Sequence, residues 1–564
     1  MAKDVVENVQ TTPIGFAPIL AHYFKKCGIV DIIDACVPVD PRRKVLTHGQ
    51  AAIAMITGIL FQVMQLYRIC QFSKETTVLD VLLPGIDPCE YFDDRMADTL
   101  DAMFYYGLGN LEIQITRNMI DGFDIENKIC HNDTTCALVY GDCDNNQTDQ
   151  SIKISFGYSK KYRNDLKQLV WSMSVSSDSA FPLFEQAFNG NTADVDTYVK
   201  QWQNLIDLLG RQDFLFVGDS KVASKSNMAH IHDHDGFFLS PLPMYAAYKR
   251  AFNDALDQHR FEVLISYKDK INRGFEVPLI IDHDGRRYPF RMIILFDHGL
   301  FIRRNKSLTQ RIDKAQAAFE LLASKLNTYR LKTRAAIDKA CKAIVKKYQL
   351  TDFLCYTIYN NPKLIYKNKK RGRPSATQPV EKVKLVKDHF YLKWQFNEKA
   401  VEDARYRLGY YPLVTNKPAE DLSIPEAMIA HKNQYKVEHT YRRSKTNLTL
   451  EPIYLHTPER IEAYLFLFKI ALQIIVLMER TARHNIRSRN KGLDDFMPNK
   501  KDHRIPKAEY LLQKFEFVVT GRIPLADGKI YGFVSELNEL QNDILDILQV
   551  PTECFSFQYL FDTS

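Results

Sequence analysis

No Gly-x4-Gly-Lys-Ser/Thr phosphate loop occurs in this chain, and no glycine-rich turn follows a strand pattern, which argues against an ATP-driven function. Cysteine is sparse: ten are scattered with no Cys-x-x-Cys pair and no close Cys/His set, which excludes the common zinc sites and suits a reducing compartment. Residues 1–16 contain no apolar core of signal-peptide length. The most apolar stretch, 463–478, is interrupted by Lys469 and Gln473 and is too short to cross a bilayer. These absences point to a cytoplasmic protein without a membrane partner. Internal repeats are missing too, and no helix-turn-helix glycine or recognition helix stands out. Neither sign of charge dominates: a net charge of +7 permits nucleic-acid binding without requiring it.

What the chain does have is three acids in suggestive settings. Asp133 lies inside residues 128–140 (KICHNDTTCALVY), a β-branched and apolar run whose strand preference an acid interrupts. Cys130 and Cys136 would then share the strand face opposite Asp133, which favours burial over metal binding. Asp219 ends the short apolar run 213–219 (DFLFVGD), at the carboxyl edge where open α/β sheets place ligands. Glu438 lies in 435–445 (YKVEHTYRRSK), beside a helical face marked by Val437 and Tyr441, from which it can point inward. Carboxylates of this kind suit Mg²⁺, and two ions about 3.5–4 Å apart serve phosphoryl displacement. Singly, each acid is as well explained as a solvated carboxylate or a helix cap. Their order adds weight, because between Asp133 and Asp219 the pattern reads as strands at 154–158 and 168–175, a helix from 194 to 209, and a strand. That is the order of a ribonuclease-H-like core.

Here the chain resembles the DDE transposases of bacterial insertion sequences, in the branch with a large insertion between the second Asp and the Glu. The resemblance spans roughly 129–479 and rests on HNDTT (131–135), FGYSKKYRNDLKQ (156–168), FVGDS (216–220) and YLHTPERI (454–461). That branch carries a Tyr-x2-Arg-x3-Glu-x6-Lys signature. Aligned on Glu438, the Lys falls on Lys445, while the Tyr and Arg positions hold His431 and Gln434. The resemblance implies Asp133, Asp219 and Glu438 as catalytic residues holding two Mg²⁺ ions, with Mn²⁺ as a substitute. It also implies Lys445 on phosphate, double-stranded DNA (terminal inverted repeats and target) as partner, and a homodimer on paired ends, nucleoid-associated when bound. The alternatives are a ribonuclease-H-like nuclease that cuts without joining, and a non-catalytic DNA-binding descendant.

The expected organisation is α/β: a mixed-sheet catalytic core with a helical N-terminal domain and an inserted β-rich and helical domain. The boundaries fall at 1–125 (helical, for DNA ends or for packing), 126–243 (first part of the core), 244–411 (insertion), 412–480 (second part of the core) and 481–564 (DNA or subunit contacts). Helices are expected at 47–70, 93–106 and between 308 and 348; strands at 278–281, 291–296 and 515–519; and a last helix at 535–548. Basic residues near the acids, Lys160, Lys161, Arg163 and Arg442, offer a DNA path. Lys369, Lys370, Arg371 and Arg373 belong to a Lys/Arg run ending Arg-Gly-Arg-Pro. It resembles the core of an AT-hook, whose arginines enter the minor groove, although a solvated basic loop is the more common fate of such a run. His131 is either a neighbour of the metal ligands or a satisfied core histidine.

Overall fold

The computed structural model describes residues 10–40, 45–140, 150–157, 163, 165–258, 262–268, 270–369, 382–498, 502–524 and 530–561. The chain divides into two compact units. One comprises Met1–Pro243, Pro278–Arg291 and Val414–Ser564; the other comprises Met244–Val277 and Met292–Leu413. The segment 244–411 thus overlaps the second unit, except that Pro278–Arg291 folds with the first.

The first unit is built on a mixed sheet. Its leading strands are β1 (Ile129–Val139), β2 (Lys167–Ser176), β3 (Pro182–Phe188), β4 (Leu215–Val217) and β5 (Phe237–Pro241), in the order β3-β2-β1-β4-β5. β1 pairs antiparallel with β2 and parallel with β4, and β4 pairs parallel with β5. Beyond β5 the order runs on through the first-unit portions of Tyr410–Thr415, Arg286–Phe296 and Lys270–His283. This is the α/β, ribonuclease-H-like order expected, but with one strand reassigned. The piece at 154–158 contributes only a single bridge, Ser155 to Gln168, and the third strand is Pro182–Phe188. Pro182 is tolerated there because it is the first residue of the strand.

Helices cover both faces. α1 (Asp194–Leu209) opens with Asp194 and Asp196, which suit a helix N-terminus, and stops at Gly210 in the left-handed region. It packs on the face of β2 and β3 that carries Ser172 and Gln186, with Gln201 and Asn204 bonded to that face. α2 (Tyr435–Thr446) and α3 (Pro458–Arg489) lie on the other face, where Trp171 meets both Tyr441 and Phe468 edge-on. α3 is long and apolar enough to cross a membrane, yet 94% of its most apolar window is buried within the protein. A helix apolar on all sides needs such enclosure.

The N-terminal region is helical as expected, including Asp93–Tyr106. The helix expected at 47–70 is two, His48–Leu60 and Leu66–Glu75. The break follows Gln62, whose φ is 61°, with Val63 N–H closing onto Gly58 C=O at 2.7 Å, a Schellman-type stop. At the other end, the strand runs from Val519 to Pro524 rather than over 515–519, and the last long helix begins at Glu539, capped by Asn538.

A charged cluster lies sealed in this unit. Lys469 of α3, fully buried, sits 3.1 Å from Glu112 Oε1 and donates to Thr116 Oγ1. Glu112 also accepts the backbone N–H of Glu185, whose own carboxylate accepts Trp171 Nε1–H. Burial raises the pKa of both carboxyls, the lysine partly offsets this for Glu112, and burial lowers Lys469.

In the second unit, helices His298–Ser324 and Arg334–Lys347 pack over a two-stranded sheet, Leu354–Asn360 with Phe390–Phe396. Its core includes Phe319, Ile337, Cys341 and Leu354, with Trp394 packed against them.

Candidate functional site

β1 and β4 run parallel with His131 opposite Val217 as their last pair. Two residues beyond on each chain stand Asp133 and Asp219. The register therefore directs the two acids toward one another, and the charges of both bear on Tyr198. Both are half-buried. Asn132 points to the opposite face, where its amide donates to Ser172 Oγ, Met173 C=O and Ser174 Oγ, so the strand is held rigidly below Asp133. Gly218 is required by space: a Cβ there would stand 2.5 Å from Val222 Cγ2 and 3.2 Å from Tyr198 Cε1.

Tyr198, one turn into α1 and fully buried, donates its hydroxyl to Asp219 Oδ1 at 2.7 Å. Its pKa is raised by burial first, then by the charges of Asp219 and Asp133, so the phenol remains a donor. Asp219 Oδ1 also accepts Lys221 N–H at 2.9 Å, and Ser240 Oγ donates to its carbonyl at 2.6 Å. The Lys221 ammonium pairs with Asp194. Burial pulls its pKa down, but Asp194, Asp219 and Asp133 outweigh that and hold it above the usual value. Asp194 is therefore a third acid of this neighbourhood, one that sequence reasoning missed.

α2 is fastened along β1. Gln434 Nε2 donates to Asn132 C=O at 2.7 Å, and its Oε1 lies 3.2 Å from His131 Nδ1. Tyr441 donates to Asp133 C=O (2.8 Å) or Trp171 C=O (3.0 Å), and Lys445 donates to Thr135 Oγ1 (2.5 Å). Positions 434, 438, 441 and 445 fall on one stripe of a 3.6-residue helix, so Glu438 stands between side chains that reach residues 131 to 136.

Three expected residues and groupings find these places. Glu438 is exposed, not enclosed. The enclosed face of α2 is Val437, Thr440, Tyr441 and Ser444, and Glu438 stands on its open flank. Among the described residues no three His, Cys, Asp or Glu side chains are grouped closely enough to hold a metal ion, so two acids are brought together and the third is on the adjacent helix. Lys445, expected on phosphate, is turned to the strand.

The other expected residues divide plainly. His131 is a core histidine, its pKa held down at about 4 chiefly by burial. Tyr441, expected on the apolar helical face, and Gln434, which no local pattern marked, are the anchors, and Gln434 occupies the position where the resembled signature has Arg. Arg442 is exposed and, with Tyr435, Lys436, His439, Arg483 and Lys507, lines a groove of about 440 Å³ beside α2. Arg443 is instead drawn to Glu479 and Glu509, the latter at 2.8 Å. Arg163 is exposed and paired with Asp165 at 2.8 Å. Lys369 is exposed. Lys160, Lys161, Lys370, Arg371 and Arg373 lie outside the described residues.

One family model matches, over residues 9–117, and its description is "Domain of unknown function (DUF4277)". No curated protein matches the chain.

Proposed function

We propose that this chain is a DDE-type transposase. It cleaves at the ends of its insertion sequence and joins the freed ends to target DNA. The observation that carries the reading is the parallel register that directs Asp133, midway along its strand, toward Asp219, just past the carboxyl end of the adjacent strand, in a ribonuclease-H-like order. Ligands of open α/β sheets gather at that edge.

The donor set suits Mg²⁺, with Mn²⁺ as a substitute: Asp133 and Asp219 offer carboxylate oxygens, and Glu438, exposed on the helix fastened beside Asp133, has a free flexible side chain to add. Two ions held there would activate an attacking oxygen and stabilise a leaving one. The chain's own residues do the positioning. Tyr198 and the Lys221 N–H fix the Asp219 carboxylate, while Asn132 and Tyr441 fix the backbone at Asp133. The Lys221 ammonium, kept charged by Asp194, adds positive potential for a phosphate. In the first displacement water bonds to phosphorus, giving up a proton, as the bond to the 3′ oxygen breaks and that oxygen leaves as a hydroxyl; in the second that 3′ oxygen, losing its proton, bonds to a target phosphorus as the target's own P–O3′ bond breaks and its 3′ oxygen takes up a proton. In the groove beside α2, where Glu479 and Glu509 pair with Arg443 and Arg483, the exposed Arg442 and Lys507 offer positive charge for duplex DNA. A dimer on paired ends follows from the need to join two ends together.

The test is cleavage and strand transfer, with Mg²⁺, on DNA carrying the inverted repeats that flank the gene. Wild type is compared with Asp133→Asn, Asp219→Asn and Glu438→Gln. The expected result is that wild type cuts and joins while all three variants bind and do neither. Full cutting by a variant removes that residue from the set. Cutting without joining replaces the transposase with a nuclease, and binding without cutting replaces it with a non-catalytic descendant.

A further inference from the structure

Inside the second unit, strands Lys363–Asn368 and Lys382–Lys387 pair only with each other, in antiparallel register from Lys363↔Lys387 to Asn368↔Lys382. A two-stranded ribbon of a folded protein ordinarily lays one face on a core. Here every residue of the pair is exposed except Ile365, which is partly covered. The composition is one-sided: Lys363, Lys367, Lys382, Lys384 and Lys387 stand in the paired strands and no carboxylate does. Among the described residues none of these five lysines is in an ion pair. Period-two alternation places Lys363, Lys367 and Lys387 on one face and Lys382 and Lys384 on the other. An isolated ribbon is marginal in water, and five like charges make it more so, unless an anion neutralises them.

We infer that this ribbon is a DNA-binding arm that seats along duplex DNA, its lysines taking phosphates on either side. Duplex DNA fits better than an acidic protein on two counts. The lysines lie on both faces, so a partner must present anions on two flanks. A ribbon two strands wide and roughly 20 Å long is also of a size that the major groove, about 12 Å across, admits. Leu364, Tyr366, Leu385 and Val386, exposed between the lysines, then find apolar contact with base edges or sugars. The choice of partner rests on the transposase reading; the ribbon geometry does not.

Binding is therefore measured apart from cleavage, with the full chain, no divalent metal and a duplex of arbitrary sequence, as log Kd against log salt concentration. Each phosphate contact contributes a slope of about 0.9, so Lys363→Gln/Lys367→Gln/Lys387→Gln should flatten the slope by up to about 2.7, and Lys382→Gln/Lys384→Gln by up to about 1.8. Duplex should also shield the five lysines of the wild type from an amine-reactive reagent. Unchanged slopes, or lysines equally reactive with and without DNA, overturn the inference. So does a change in sedimentation of the DNA-free variants without a change in slope, which would make the ribbon a contact between copies. If wild type binds with the expected slopes yet never cuts, the ribbon stands and the transposase reading falls.

Discussion

Replacing Lys469 by methionine keeps the stem of the side chain and removes a charge from the core. The ammonium is fully enclosed, 3.1 Å from Glu112 Oε1, and Glu112 is itself 2% exposed. Without the lysine, Glu112 keeps one backbone N–H, from Glu185, which is too little to hold an ion away from water. The carboxyl escapes by taking up a proton, and that escape sets the ceiling on the cost. With the lysine in place burial already holds the Glu112 carboxyl up at about 7, so wild type bears most of this cost itself up to that pH, and at pH 8.5 keeping the carboxyl neutral costs roughly 2 kcal/mol more, one and a half pH units at 1.36 kcal/mol each. The sign follows from the direction of the shift. A carboxyl whose folded pKa is raised favours the fold below its unfolded pKa, and that contribution is lost as pH rises through the folded value. Lys469→Met is therefore expected to be destabilised by up to about 2 kcal/mol at pH 8.5, with the deficit fading as pH falls toward 7. Urea unfolding followed by circular dichroism at pH 6 and pH 8.5 reads both points. Glu112→Gln/Lys469→Met keeps an acceptor for the Glu185 N–H and should recover to within about 1 kcal/mol of wild type, with no added pH dependence. A Lys469→Met protein as stable as wild type at pH 8.5, or equally weakened at both pH values, would refute the buried-pair account.

Two further outcomes follow from the site. Tyr198→Phe keeps the ring against Phe216 and removes only the hydroxyl on Asp219, a charge-assisted bond of about 1.5–3 kcal/mol. The expected effect is a roughly tenfold or greater loss of cleavage with a raised Mg²⁺ requirement in single-turnover assays, and unaltered Mg²⁺ dependence would remove Tyr198 from that role. Gly218→Ala should cost about 1–3 kcal/mol in thermal or urea unfolding, because its Cβ would crowd Val222 and Tyr198; wild-type stability there would mean the strand end has room to shift.

How far the sequence carries the argument differs element by element. Asp133 and Asp219 were legible because each sits at a local anomaly, an acid within or ending an apolar run, and parallel pairing turns two such anomalies into neighbours. Glu438 was legible as a helix position but not as an orientation, since whether a flanking residue is enclosed depends on what packs against the helix. Pro182–Phe188 escaped notice because Glu185 breaks its apolar pattern, and the reason for that acid, Trp171 and the Glu112 cluster, lies on other elements. Tyr198, Gln434 and Tyr441 act through contacts to residues 21, 302 and 308 positions away. No window of sequence contains both partners.

The first described strand, Gln10–Pro13, is zipped to Val519–Arg522, and Tyr23 bonds to the carbonyl of Leu548. On a ribosome the partner of a strand made at the start arrives more than five hundred residues later. At roughly 5–20 residues per second the wait is on the order of half a minute to two minutes. The helices around Asp101 and Glu112 likewise wait for Arg460 and Lys469. The N-terminal segment therefore cannot reach its final packing as it emerges; its assembly is timed by the arrival of residues 460–548, so a polypeptide cut short before them releases an N-terminal half with its docking face uncovered.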